Sequence, residues 1–118
     1  MESNCIFCKI GKGEIPTNKV LETDNFIVIK DLHPKTKGHS IVFPKNHYKT
    51  LLDMPSTLLC EFMHTVKKVA LLLMQENKAE GFNLVMNNFE SAGQVIHHAH
   101  MHILPRYNKG NDGYKSGV

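Results

Sequence analysis

The sequence has no long apolar run and no long run of one charge. Its longest apolar stretch, Val69 to Met74, is far too short to span a bilayer, and no segment reads as a secretory signal peptide. The 14 basic and 11 acidic residues give a formal charge of +3 and are spread along the chain, which disfavours nucleic-acid binding and would favour small anionic ligands. We therefore expect a cytoplasmic protein with no membrane or nucleic-acid partner.

Cysteine is also scarce. Three cysteines, an odd number, argue against a disulfide framework and fit a reducing compartment. Cys5 and Cys8 are spaced so that both thiolates could reach one zinc ion. A single pair specifies little, so two small buried residues or an exposed redox pair would explain it equally well.

Histidine is concentrated in the segment 94–106. Three of the eight, His98, His100 and His102, recur at alternate positions. In an extended strand such residues share one face, roughly 6.6 Å apart, and we expect this strand to end at Pro105. The opposite face is mostly apolar and suits a core, with Val95, His97, Ala99, Met101 and Ile103.

Three imidazoles on one sheet face are costly to desolvate and add little to packing, so a function is expected. One candidate is a metal site, because neutral imidazole is the commonest metal ligand. The other is a phosphate site in which one imidazole attacks and its neighbours hold charge. The alternation alone leaves both open.

Hydrophobic periodicity predicts the remaining elements. An apolar set within residues 5–10 predicts a short helix. Apolar residues three or four apart from Leu58 to Leu73 predict one long helix, with Ser56 as its N-cap and its end before Gly81. Four further strands are predicted at residues 19–22, 26–29, 38–44 and 82–86.

Several side chains have ordinary expected roles. In the long helix we expect Cys60 to be packed, His64 to face solvent, and Met63 and Met74 to fill the core. On the sequence alone, Asp31 is expected to start the turn before Pro34, with a ribose diol contact as the alternative. Taken singly, three further histidines are expected to be ordinary surface or half-buried residues: His33, His39 and His47. His47, just after the third strand, is the one most open to another role.

From His98 to Leu104 the sequence follows the alternating histidine and apolar pattern of the histidine triad superfamily of nucleotide hydrolases and transferases. The resemblance covers nearly the whole chain to Arg106 and is nearest to the small Hint-type and bacterial branch. Other segments resemble that family in the same order: Cys5 to Ile10, Gly13 to Pro16, Asp31, Gly38 to His47, Asn87 and Ala92 to Gln94.

The resemblance implies an α+β fold with a five-stranded antiparallel sheet, one long and one short helix, and a homodimer. It implies a single domain over residues 1–106 and a short tail at 107–118. The implied activity is hydrolysis at the α-phosphate of purine nucleotide derivatives. His100 would be the nucleophile that forms a nucleotidyl-histidine, His102 would contact the phosphoryl oxygens and assist the leaving group, and His98 would support this face.

The resemblance also implies the nucleotide contacts. Asp31 would contact the ribose. The phosphate would be contacted by Asn87 and Gln94, and by backbone amides near Gly93 and Val95. Val95 stands where many relatives have Ser or another polar residue after Gln, so any hydroxyl contact to the leaving group is absent. The base would lie in an apolar slot formed by Ile6, Phe7, Ile10, Ile29 and Leu32.

One branch of the family carries zinc, and the resemblance assigns one structural zinc ion per chain to Cys5, Cys8, His47 and His98. Two thiolates and two imidazoles complete a tetrahedral set with no open position. His97, which replaces the usual Tyr or Phe, is the spare ligand if His98 is not used. Two rival interpretations stay open: a metallohydrolase with zinc on the three alternating histidines, and an AMP-binding sensor with little turnover.

Overall fold

The computed structural model describes residues 4–108. Its α-helices and strands are α1 (Ile6–Gly11), β1 (Lys19–Glu22), β2 (Phe26–Lys30), β3 (Ser40–Pro44), α2 (Ser56–Glu76), β4 (Gly81–Val85) and β5 (Met101–Arg106). The five strands form one antiparallel sheet in the order β1-β2-β3-β5-β4, so the predicted α+β fold with one long and one short helix is confirmed. Within the described range, no helix has the length and apolar character needed to cross a bilayer.

The central strands β2 and β3 are buried on both faces of the sheet. Phe26 and Val28 pack in a core with Phe62 of α2, whereas Ile27 and Ile29 pack in a second core that includes residues of α1. Because alternate side chains enter different cores, these strands read as continuous apolar runs in the sequence.

The helix α2 buries a narrower stripe than its sequence predicted. It begins at Ser56, and Pro55 is the N-cap, so the predicted cap is off by one residue. Met63 is 47% exposed because it lies about 100° around the helix from buried Phe62, and its predicted core role is wrong. Cys60 is exposed as well, so the packing predicted for it is also wrong, whereas His64 faces solvent as expected.

The histidine strand is shorter than predicted. β5 begins at Met101, so His98 and His100 lie in the irregular segment before it. Val95 is 85% exposed and His97 is exposed; the predicted apolar face is therefore wrong at both positions. The reason is that a polar loop, and not a strand, carries residues 94–100.

Pro105 does not end the strand. β5 pairs with β3 over Met101–Ile103 and with β4 through Arg106. Pro105 lies beyond the β3 pairing, so its missing N–H removes no hydrogen bond to that strand.

The predicted boundary at residue 106 stays a prediction, since most of the tail lies outside the described residues. Tyr107 is described and is tied to the fold at two points. Its hydroxyl donates to the carbonyl oxygen of Lys37 and accepts a bond from Asn77 Nδ2 at 3.4 Å.

Candidate active site and metal centre

Two cysteines at the start of α1 meet two histidines that are remote in the sequence. Cys5 Sγ lies 3.2 Å from His98 Nδ1. Cys8 Sγ lies 3.2 Å from His47 Nδ1 and 3.5 Å from His98 Nδ1, and all four ligand atoms are within 4.8 Å of one another. A tetrahedral zinc ion with bonds of about 2.3 Å to sulfur and about 2.0 Å to nitrogen separates these atoms by roughly 3.5 Å. The four residues therefore fit zinc.

The orientation of His98 favours a metal ligand. Its Nε2 lies 2.7 Å from the carbonyl oxygen of Pro44, so Nε2 carries the hydrogen and Nδ1 presents its lone pair to the two sulfurs. Burial lowers the pKa of His98 to about 4, and only the bond to Pro44 opposes that shift. The ring is neutral, which is the form that binds metal. His97, the spare candidate, instead lies 3.5 Å from a Glu90 carboxylate oxygen.

His100 is fixed by the backbone of the adjacent ligand. Its Nδ1 lies 2.7 Å from the carbonyl oxygen of His98 and donates to it. Burial lowers the pKa of His100, against the opposing effects of that hydrogen bond and of Asp31. In the neutral ring Nε2 therefore keeps an unprotonated lone pair, which is what attack on phosphorus requires.

His102 belongs to a different cluster from His98. Its Nδ1 lies 2.9 Å from His39 Nε2 and 3.9 Å from Asp31 Oδ2. Burial, followed by the charges of His100 and His39, lowers the pKa of His102 to about 4. Because His98 faces the cysteines and His102 faces this pair, the three alternating histidines do not converge on one ion, which argues against the metallohydrolase.

His39 is the residue that the sequence reasoning missed. It is 2% exposed, although it was expected to be an ordinary half-buried or surface residue. His39 immediately precedes β3, and Ile41 of that strand pairs with His102, so the sheet register brings the two histidines together. The sequence alone carries no signal of this pairing. Asp31 plays its predicted turn role, since Oδ1 accepts the N–H of His33 at 2.8 Å.

A cleft of about 1130 Å³ runs over this region and continues to the C-terminal end of α2. His100 and His102 line it, and His98 does not. Leu32 and Val95 are 83% and 85% exposed, so they form its rim and not its wall. All ten residues expected around a nucleotide line this cleft: Ile6, Phe7, Ile10, Ile29, Asp31, Leu32, Asn87, Gly93, Gln94 and Val95.

The side chain of Gln94 holds the loop before the triad. Its Oε1 accepts the N–H of Phe89 at 2.7 Å, and its Nε2 donates to the carbonyl oxygens of Lys49 at 2.6 Å and Ile96 at 3.1 Å. Both amide hydrogens are used in these bonds. The backbone N–H of Gln94 is used as well, since it donates to the carbonyl oxygen of Phe89 at 3.1 Å. The expected contact between Gln94 and phosphate would have to replace one of these bonds, and it stays a prediction.

The same loop contains an unusual backbone conformation. Phe89 has φ 72° and ψ 158°, a combination that glycine adopts and other residues rarely do. Gly93 has φ 92°, where glycine is favoured. Lys49 Nζ lies 5.7 Å from the centre of the Phe89 ring, which adds a weak cation–π contact.

Comparison with known proteins identifies the class. A HIT domain matches residues 12–109. The chain is 43% identical over 111 residues to Protein hit of Bacillus subtilis, covering 94% of this chain and 76% of that protein. It is 38% identical over 108 residues to the adenosine 5'-monophosphoramidase HNT1 of Candida albicans, covering 88% of this chain and 71% of that protein.

A solved structure extends the comparison to the metal. A zinc-bound histidine triad family protein from Mycobacterium smegmatis superposes with a TM-score of 0.87 at 31% identity, covering 95% of this chain and 81% of that one. The chain belongs to the HIT family, and its relatives include nucleotide hydrolases.

Proposed function

We propose that the protein hydrolyses purine nucleotide derivatives at the α-phosphate, with His100 as the nucleophile. The observation that carries this proposal is the bond from His100 Nδ1 to the His98 carbonyl oxygen, 2.7 Å long. It leaves the lone pair on Nε2 of a ring that lines the cleft. The alternative, a nucleotide-binding sensor, uses the same cleft without forming a covalent bond.

The reaction has two displacements. In the first, the Nε2 lone pair of His100 forms a bond to the α-phosphorus, and the bond from phosphorus to the leaving group breaks with its electron pair, which then takes up a proton. In the second, water attacks the same phosphorus, loses a proton, and returns the electron pair of the P–N bond to His100. The products are a nucleoside monophosphate and the protonated leaving group.

We propose one orientation of the nucleotide in the cleft. The base lies in the apolar slot that begins at α1, where the Phe7 ring stacks on Phe43 with centres 4.3 Å apart and contacts His100 edge to face at 5.1 Å. Asp31 bonds the ribose. Asn87 and the backbone amide near Val95 contact phosphate, because a phosphoryl group is stabilised mainly by positioned donors. The N–H of Gly93 already donates to the carbonyl oxygen of Glu90 at 2.9 Å.

The leaving group is the finer question. The Candida albicans relative is named for cleavage of adenosine 5'-monophosphoramidate, so that compound is the first substrate to test. Val95 offers no hydroxyl at the rim of the cleft. We therefore expect hydrolysis to be slower for substrates with poor leaving groups than for those with good ones. Rates measured on a panel of phosphoramidates, AMP esters and dinucleoside polyphosphates would test this order.

The test is a pair of variants at His100. Asn in this position can still donate to the His98 carbonyl oxygen but has no nucleophilic nitrogen, whereas Ala removes both features. We expect His100→Asn and His100→Ala to lose at least about 10³-fold in kcat while both still bind AMP and keep their metal. Loss of zinc with either variant would favour the metallohydrolase, and full activity in His100→Asn would contradict the nucleophile.

We also propose that Cys5, Cys8, His47 and His98 hold one structural zinc ion. When bound, zinc cross-links α1 to the segments that carry the two histidines and so supports the slot. Elemental analysis should give about one zinc per chain. Cys8→Ser should lower the metal content and the melting temperature, whereas Cys60→Ser, which changes an exposed thiol of α2 outside this set, should change neither. Metal-free wild-type protein of full thermal stability would exclude the site.

A homodimer is the third proposal, and the edge strand β4 supports it. Phe82 and Leu84 are 43% and 39% exposed there, and an uncovered apolar edge strand invites pairing with another chain. Sedimentation equilibrium should give twice the chain mass. Leu84→Lys should shift the protein toward monomer, and a monomeric wild type would refute the proposal.

A further inference from the structure

His39 is buried next to the proposed catalytic row, and its hydrogen-bond partners determine which nitrogen carries its hydrogen. The backbone N–H of Lys35 donates to His39 Nδ1 at 3.2 Å. A nitrogen that accepts a hydrogen bond cannot itself carry a hydrogen. In the neutral ring of His39 the hydrogen must therefore be on Nε2.

That hydrogen faces His102. The distance between His39 Nε2 and His102 Nδ1 is 2.9 Å, a normal hydrogen-bond length. Two N–H groups would repel at this distance, so His102 Nδ1 is the acceptor and the His102 hydrogen is on Nε2. Asp31 Oδ2 lies farther away, 3.4 Å from His39 Nε2 and 3.9 Å from His102 Nδ1, and is not the main partner of either ring.

Both rings are neutral near pH 7. Burial is the largest cause that lowers the pKa of His39, with Asp31 opposing it and Lys35 and Arg106 adding to it. The pKa of His102 falls to about 4 for the same first reason. A chain of hydrogen bonds thus runs from the Lys35 amide through His39 to His102.

A metal ion is the competing explanation for the same atoms. The ligand atoms of Asp31, His39 and His102 all lie within 4.8 Å of one another. To bind metal, however, His39 would have to use Nε2 and carry its hydrogen on Nδ1, where it would point at the Lys35 N–H. The hydrogen-bond chain instead pairs both nitrogens of His39 and Nδ1 of His102, so the geometry favours it over a metal ion.

We propose that His39 is a positioning residue that fixes His102 with its hydrogen on Nε2, aimed at a phosphoryl oxygen of the nucleotide. The imidazole ring places Nε2 on the side away from the nitrogen that His39 occupies, and His102 lines the cleft. His102 keeps its hydrogen and stabilises the negative charge that develops on phosphate. The inference rests on the proposed hydrolase for its purpose, but the position of the hydrogen does not.

Two substitutions separate the two bonds of His39. In His39→Gln the side-chain amide nitrogen lies near the position of Nε2 and can donate to His102. In His39→Asn the amide oxygen lies near the position of Nδ1 and can accept from Lys35, but no donor reaches His102. Both variants lose the imidazole, so a general cost of altering this buried site affects them alike.

Nitrogen-15 NMR of the zinc-loaded protein determines directly which ring nitrogen of His102 carries the hydrogen. Wild type and His39→Gln should show the hydrogen on Nε2, whereas His39→Asn should show a mixture. With adenosine 5'-monophosphoramidate, His39→Asn should lower kcat at least about tenfold with an unchanged Kd for AMP, and His39→Gln should recover most of that loss.

The proposal is overturned by a hydrogen on Nδ1 of His102 in the wild type, or by a kcat in His39→Asn equal to that of wild type. Stoichiometric binding of added Mn²⁺ that is lost in both variants would also overturn it in favour of the metal ion. If the NMR result is as expected but wild type turns over no substrate, the tautomer assignment stands and the proposed hydrolase fails.

Discussion

Phe89 gives a sharp test of the loop before the triad, because its backbone conformation reverses an ordinary rule. At most positions Gly is less stable than Ala by roughly 0.5–1 kcal/mol, since it loses more backbone entropy on folding. At φ 72° and ψ 158°, however, any residue with a Cβ is strained by about 1–3 kcal/mol. Gly alone escapes this strain.

The magnitude follows from comparing two truncations. Phe89 is 46% exposed, so Phe89→Ala and Phe89→Gly lose the same half-buried ring, about 1 kcal/mol, and the same contact with Lys49. Only Phe89→Gly removes the backbone strain, and part of that gain is offset by the larger backbone entropy that Gly loses on folding. We expect Phe89→Gly to be more stable than Phe89→Ala by about 1 kcal/mol, and close to wild type.

Urea denaturation of both variants at saturating zinc measures the difference, with the slope m confirming that the unfolded states are comparable. The hydrogen bond from the Phe89 N–H to Gln94 Oε1 is retained in both proteins, so it does not enter the comparison. If Phe89→Ala is as stable as Phe89→Gly, or more stable, the backbone at residue 89 is not strained and the reasoning is refuted.

Two further predictions concern stability. Gly38 has φ 89°, and an added Cβ would lie 2.6 Å from Asn77 Nδ2 and 3.2 Å from Leu73 Cδ2. Gly38→Ala should therefore lower the free energy of unfolding by more than about 1 kcal/mol, with a matching fall in melting temperature. Gly81→Ala is the matched control because its Cβ meets nothing within 4 Å, and equal effects of the two substitutions would contradict the close approach at Gly38. Burial lowers the pKa of His102 from 6.5 to about 4, so between these pH values the unfolded chain binds a proton at His102 and the folded chain does not. The free energy of unfolding should therefore fall by about 3 kcal/mol as the pH is lowered from 6.5 to 4. His102→Gln should lose less over that range in urea titrations, and parallel pH profiles for the two proteins would exclude the shift.

The sheet was predictable because its signals are local. Strands such as Phe26–Lys30 combine β-favouring residues with turn chemistry at their ends, and α2 shows a helical apolar period. The start of β5 was not predictable from the sequence. His98 to His100 continue the alternating pattern of a strand, but the pairing with β3 and β4 begins only at Met101 and His102. The Ala99 N–H instead donates to the Tyr48 carbonyl oxygen at 2.7 Å, a contact that depends on where the chain returns.

The site divides in the same way. The alternating histidines and the paired cysteines are visible as spacing, and the resemblance to a family brings the remote His47 into the same set. The roles of Gln94 and His39 are not visible in this way, because each depends on a partner far along the chain: Gln94 on Lys49, 45 residues away, and His39 on His102, 63 residues away. Only the fold brings these groups within hydrogen-bond distance.

The covalent intermediate is the most direct test of the proposed chemistry. Wild-type protein is mixed with adenosine 5'-monophosphoramidate, quenched rapidly, digested and analysed by mass spectrometry. An adenylyl group attached to His100, absent from His100→Asn treated in the same way, is the expected result. Hydrolysis at the wild-type rate with no adduct on that peptide, or an adduct on a different histidine, would contradict the assignment of the nucleophile.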